Sequence, residues 1–306
     1  MYWKKKVILA KIEVTYGTDP TPTGAANAIL CMNVNLEPMA GEDVSRNLER
    51  PYFGAQEVLP VGLNSVLSFD VEIVGSGTLG TAPAWGPLHR ACACAETVAA
   101  ATMVEYTPIS SAMESVTLYM NIDGTLHKLS GARGSWVAKI NAQGIPMFSY
   151  SFTGLFTQPT TTAAPTPVYT AFQTPQAATK ANTPTFTVGG VAMRLRSYEF
   201  DRGAKVEKRF LIGYEGIEIV DAVESLKAQV EGVALATYNP YTAPTAAPAA
   251  IQLIHGTTAA TRVKFDMGQA KQRRPSLAQQ QDVVEWPLTF DPLPNTGNDQ
   301  WKITLA

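Results

Sequence analysis

The stretch LSFDVEIVGSGTLG, Leu67 to Gly80, decides between two folds. Its glycines Gly75, Gly77 and Gly80 have the G-x-G-x-x-G spacing of a dinucleotide-binding turn and follow a strand-like run. In that run Leu67, Phe69, Val71 and Ile73 alternate with Ser68, Asp70 and Glu72. Strict alternation describes a strand with one buried and one wet face. A dinucleotide fold instead buries its parallel strand on both faces and starts a helix at the third glycine, so that the helix N-terminus meets the pyrophosphate. Here TAPAWGP, Thr81 to Pro87, intervenes. The glycines therefore read as a loop, and no cofactor is expected.

The same alternation recurs at Val7–Thr15, Ala28–Val34, Ser115–Asn121, Trp136–Asn141 and Met147–Phe156, which predicts a mainly β chain. One helix is expected, over Gly86–Thr102 (GPLHRACACAETVAAAT). Pro87 falls in its first turn, where a missing N–H is harmless, and its body is rich in alanine. His89 on that helix is expected to be a partly exposed structural residue.

Composition agrees with a β chain. Of 306 residues 45% are hydrophobic and only 16% charged, which favours short strands and turns, and a chain of this size can bury one large core or two smaller ones, with two domains the starting expectation. The net charge of -2 argues against a dedicated nucleic-acid binder. The apolar run Val7–Ala10 in MYWKKKVILAKIEV stops at Lys11, and no run approaches the roughly 18 residues needed to cross a bilayer. The expectation is a chain made in the cytoplasm with no membrane partner. Cys31, Cys92 and Cys94 are odd in number, lack a disulfide or metal framework, and read as small buried residues.

Chemistry is sparse. His89, His127 and His255 have no acid at ligand or triad spacing, and there is no nucleophile elbow or H-E-x-x-H helix. Carboxylates are scattered singly, apart from Glu42-Asp43 in an expected turn, so neither catalytic nor metal residues are assigned and no enzyme is expected. SGARGSW, Ser130 to Trp136, reads as a tight turn built on Gly131 and Gly134, with a phosphate nest around Arg133 as the sharper alternative. AKQRRPS, Ala270 to Ser276, gathers Lys271, Arg273 and Arg274 at a hairpin tip, or against an acidic partner subunit.

The chain also echoes itself. SVLSFDVEIVG (Ser65–Gly75) matches SLKAQVEGVA (Ser225–Ala234), with Val71-Glu72 opposite Val230-Glu231. FSYSFTGL (Phe148–Leu155) matches WPLTFDPL (Trp286–Leu293), and Tyr106-Thr107 and Val116–Leu118 match Tyr241-Thr242 and Ile251–Leu253 at one spacing of 135. Between the copies lies a Thr/Pro/Ala segment, Thr157–Thr185, whose only charge is Lys180. Such a segment prefers extended conformations and cannot form a core. The expected organisation is two tandem β domains, 1–156 and 186–306, joined by a linker or arm at 157–185. That arm, the N-terminus, Gly75–Pro83 and Ala236–Ala250 are candidates for lying on a neighbouring subunit.

KIEVTYGTDPTPTGAANAIL (Lys11–Leu30), LHKLSGARGSWV (Leu126–Val137), GIPMFSYSFTGLF (Gly144–Phe156) and the ending PLPNTGNDQWKITLA resemble the major tail tube proteins of long non-contractile-tailed, siphovirus-type bacteriophages. The resemblance implies tandem tail-tube-like β-sandwich or barrel domains, the first with a flanking helix. It further implies a virion protein, assembled in the bacterial host cytoplasm, whose rings stack into a hollow tube for genome delivery. A duplicated domain would close a trimeric, pseudo-six-fold ring, the alternative being a hexameric one. Expected partners are the chain itself, the tape measure, tail terminator and distal tail proteins, and double-stranded DNA passing without sequence-specific binding. Asp70, Glu72, Glu218 and Glu231 are candidates for the lumen, where acids would not grip phosphates. Gly131, Arg133 and Gly134 are candidates for an inter-subunit turn. The alternative is another β-sandwich virion protein, such as a tail terminator or decoration protein.

Overall fold

Alternating apolar and polar side chains build nearly everything in the structure. The computed structural model describes residues 2–306, which form twenty-one strands and two helices of four and five residues. The first half contains β1 (Lys6–Ile12), α1 (Gly24–Asn27), β2 (Ala28–Ile29), β3 (Met32–Ser45), β4 (Val58–Glu72), α2 (Gly86–Arg90), β5 (Cys94–Ala99), β6 (Met103–Pro108), β7 (Val116–Ile122), β8 (Thr125–Asn141), β9 (Met147–Phe156) and β10 (Thr160–Thr161). The second contains β11 (Thr185–Val188), β12 (Val191–Ala192), β13 (Leu195–Asp201), β14 (Ala204–Leu211), β15 (Tyr214–Ala222), β16 (Ser225–Glu231), β17 (Ala249–His255), β18 (Val263–Gln272), β19 (Ala278–Gln280), β20 (Val283–Pro292) and β21 (Lys302–Leu305). Nineteen strands join one antiparallel network that does not close into a barrel, and β14–β15 stand apart as a hairpin.

The two halves pair their strands in the same order. The first reads β3-β4-β9-β8-β7-β1. The second reads β13-β16-β20-β18-β17-β11. Registers repeat as well: Leu67 faces Phe152 where Leu226 faces Phe290, and Arg133 faces Thr153 where Lys271 faces Asp291. Even a bulge recurs, after Val116 opposite Ala132 and after Ala249 opposite Ala270. That bulge aligns β7 with β17 two residues away from the spacing of 135 read in the sequence, a slip that leaves every side chain on its face. The second half has no counterpart of α2 and the β5–β6 hairpin.

The halves are fused into one body. The end of β8, Val137–Asn141, leaves β7 and pairs with Ser197–Asp201 of β13. On the other side β21 is sandwiched between β18 and β6. One continuous core results, in which Trp136 touches Phe200 and Trp301 edge-on, each with ring centroids 5.5 Å apart, and Phe265 packs on Phe148 and Tyr198.

Several expectations are corrected. The helix over Gly86–Thr102 stops at Arg90; Ala93 takes a left-handed φ of +57°, and Cys94–Ala99 becomes a strand against β6. Alanine favours helix only when nothing pairs better, and here Thr97 and Val98 suit a strand while Glu96 accepts the Tyr106 hydroxyl at 2.6 Å. SGARGSW is no turn but the bulged middle of the 17-residue β8, and Glu42-Asp43 lie within β3. The arm Thr157–Thr185 is bonded to its own chain, with Thr162 donating to Gly124 O, Val168 to Gly24 O and Ala178 to Gly144 O. The glycine-rich loop likewise rests on its own second half: a Cβ on Gly75 would meet Ala260 O at 2.1 Å.

His89 is not partly exposed but wholly buried. Trp85, Trp136 and Phe148 each lie 4.6 Å from its ring, and Nδ1 meets the Tyr150 hydroxyl at 2.7 Å. Burial, aided by the Arg202 charge, holds its pKa well below the usual imidazole value, and burial lowers those of His127 and His255. Below about pH 6.5 the unfolded chain therefore takes up protons that the folded chain refuses, so stability falls as pH drops and levels off above that point. Calorimetry between pH 7 and 5 should show this fall, shallower in His89→Gln by up to about 1.4 kcal/mol per pH unit. An unchanged slope would exclude His89 as a source.

Candidate functional site

Residues directly opposite each other in a ladder project to the same side of the sheet, so registers define a face. Glu72, Met147, Lys139, Glu199, Lys227 and Thr289 form one row across β4, β9, β8, β13, β16 and β20. Asp70, Ser149, Val137, Asp201 and Ser225 form the next. The result is a single polar face that crosses from one half of the chain to the other without a break.

Asp70 and Glu72 lie on this face, and so does Glu231, which stands in β16 where Glu72 stands in β4. Glu218 does not: it is on the separate β14–β15 hairpin, where it accepts the Tyr214 hydroxyl at 2.9 Å. Glu231 is paired with Arg194 at 2.6 Å and Glu199 with Lys227 at 2.9 Å. Asp70 accepts the Asn33 amide at 2.7 Å, and among the described residues neither it nor Glu72 has an ion-pair partner. Partial burial raises the Glu72 pKa.

Where the halves meet, Gly131, Arg133 and Gly134 act within the chain. Gly131 has φ +57°, donates to Glu13 Oε1 at 2.7 Å, and would drive a Cβ to 2.8 Å from the Tyr16 ring. Gly134 leaves room for the Phe152 ring, which a Cβ would meet at 2.6 Å. Arg133 lies over Tyr16 and spends its donors on Met113 O, Glu114 O and, at 3.0 Å, on Ile217 O of β15. Tyr16 reaches the same point, its hydroxyl accepting the Ile217 amide at 2.6 Å. The second half's hairpin is thereby fastened across the first.

The deepest fastening was invisible in the sequence. Arg202, 2% exposed, donates from Nη1 to Glu224 Oε1 at 2.6 Å and from Nη2 to Ala93 O in the first half. Its backbone amide donates to Trp136 O, and Glu224 also accepts the Trp301 indole at 3.1 Å. Arg202 and Glu224 are 22 positions apart and neither lies in a motif, so only the ladder brings them together. In the first half the matching place holds a neutral contact, the Ser65 hydroxyl donating to Pro38 O at 2.7 Å.

A family model described as phage tail tube protein matches residues 3–300. The chain belongs to the phage tail tube protein family. Comparison with curated proteins gives no match. The family is one of structural tail proteins, not enzymes, and among the described residues of this tube protein no cluster of three or more potential metal ligands occurs. Among the described residues no helix is long and apolar enough to cross a membrane.

Removing one member of a buried ion pair strands the other, which costs about 3–5 kcal/mol. Glu224→Leu should lower the thermal stability of the tube protein by that order, measured by calorimetry, and Arg202→Met/Glu224→Leu should recover part of it. Recovery is incomplete because the Trp301 indole and the Gln300 amide lose their shared acceptor. A loss no larger than that of an exposed substitution would show that the buried pair does not anchor Arg202 at the junction.

Proposed function

We propose that this tube protein assembles head to tail into rings that stack into the hollow tail tube of a siphovirus-type phage, through which the genome is delivered. Each chain supplies two similar wall segments, so three chains make a pseudo-six-fold ring. The observation that carries this reading is the repeated strand order joined by a ladder between the halves, which makes one chain a piece of continuous wall. Heterologous joining of such pieces closes when the rotation per piece divides the circle.

The polar face bearing Asp70, Glu72 and Glu231 suits the lumen. Of its bases, Lys227 and Arg194 are already held by Glu199 and Glu231, so they add little affinity for passing phosphates, and Lys139 stands in register with Glu199. Stacking has its own candidates, the tips of two projecting hairpins. Phe53 lies fully in solvent between β3 and β4 beside the exposed Tyr52, as does Ile212 between β14 and β15 near the exposed Tyr214 that opens β15. Exposed apolar tips of this kind mark contact sites. Assembly would take place in the host cytoplasm, with the tape measure, distal tail and terminator proteins setting length and ends.

Negative-stain electron microscopy of the purified protein over a concentration series tests the reading. Stacked rings with an open channel and three-fold modulation of six lobes are expected. Rings that never stack would favour a terminator, and a monomer at every concentration, even with tail partners added, would end the tube reading.

A further inference from the structure

The row of strands β3-β4-β9-β8-β13-β16-β20 has two free edges. At one end β3 pairs only with β4, and it is fourteen residues long and mostly exposed. At the other, the chain from Arg273 to Gln280 follows β20 on one side and has no strand on the other. Long open edges invite pairing unless charge or proline blunts them. Asn33–Leu36 carries no charge, and on the opposite edge Leu277 is 65% exposed between the uncharged Ser276 and Ala278.

The junction inside the chain shows how these edges fit. There Glu199 of β13 faces Lys139 of β8. The repeat assigns each a counterpart. Glu199 faces Lys227 on β16, as Asn35 faces Ser68 on β4, and Lys227 and Ser68 each follow a matched leucine, Leu226 and Leu67. Lys139 lies six residues beyond Arg133, and Leu277 lies six beyond Lys271, the matched pair. We infer that β3 of one chain adds antiparallel to residues 275–280 of the next, with Asn35 beside Leu277, so that the joint between chains copies the joint between halves.

Backbone and charge both fit. Trp136 O accepts the Arg202 amide and Ala142 donates to Arg196 O, so the even-numbered residues of this part of β8 direct their backbone groups across the junction. Pro275 stands at the counterpart of odd-numbered Val137, so its missing N–H would face β20 and leaves the joint intact. Arg133, which grips Ile217 O of the hairpin laid over the first half, has Lys271 as its counterpart. The hairpin that a second copy would lay over Lys271 and Arg274 is β3–β4, whose stem carries Glu42, Asp43 and Glu57. The copied joint lacks one element: Pro38 and Ser65 stand where Arg202 and Glu224 stand, so the joint between chains has no buried ion pair.

The inference rests on the tube reading, and disulfide trapping separates the two. Full-length protein with Asn35→Cys and Leu277→Cys, or with Asn35→Cys and Ala278→Cys to cover the one-residue register shift entering β19, is oxidised at concentrations where rings are seen by microscopy. A non-reducing gel should show linked dimers and trimers and nothing longer, with neither single-cysteine variant linking. A ladder running to six would uphold the joint and change only the ring order. Rings that form without linkage in either variant would overturn the joint and leave the tube reading standing, whereas the absence of both rings and linkage would overturn both.

Discussion

The ladder between β8 and β13 is the constraint on which the rest depends. Five residues of each strand turn two six-stranded units into one sheet, and the aromatic core and the Arg202–Glu224 pair assemble behind it. A buried ion pair contributes little net stability over a well-packed apolar substitute, but it strongly penalises any arrangement that separates its members. Arg202, at the end of β13, also donates to Ala93 O and Trp136 O of the first half, so a second half that slips along β8 leaves a buried guanidinium short of partners. The polar face can run unbroken because this register holds.

Much of the fold was legible because period-2 alternation is a local signal. Ser65–Ile73 and Met147–Phe156 could be read from their own side chains, and β9 has the bounds expected of it. The Gly86–Thr102 segment was not legible, since alanine and cysteine carry no face, and the partner that makes Cys94–Ala99 a strand lies in β6 and begins four residues later. SGARGSW misled for a related reason: glycine signals an unusual backbone without distinguishing a turn from a bulge. The site was legible only in part. Asp70, Glu72 and Glu231 share a face because strand parity is local, but Glu218 was assigned by its charge and alternation alone, and nothing in its own strand reveals that β15 leaves the main sheet. Arg202, Glu224 and the Tyr16–Ile217 contact come from ladders spanning up to about 200 positions, which no window of sequence contains.

The duplicated order also explains the asymmetry between the halves. The first half holds α2, the β5–β6 hairpin and the long arm, all folded back onto the same chain, while the second has no counterpart of α2 and that hairpin. Apolar surface that a single domain would leave open, such as the Trp136 and Trp301 faces, is instead spent inside the chain.

Because β8 and β13 are tethered, their encounter is intramolecular and proceeds at an effective concentration set by the connecting segment, on the order of millimolar for short flexible links. Dilution cannot part them. Any association of separate chains follows mass action, so the proposed joint between chains would wait for company while the joint between halves is formed on folding. A cell would then hold the protein as a finished half-joint at low abundance, and assembly would respond to supply rather than to refolding.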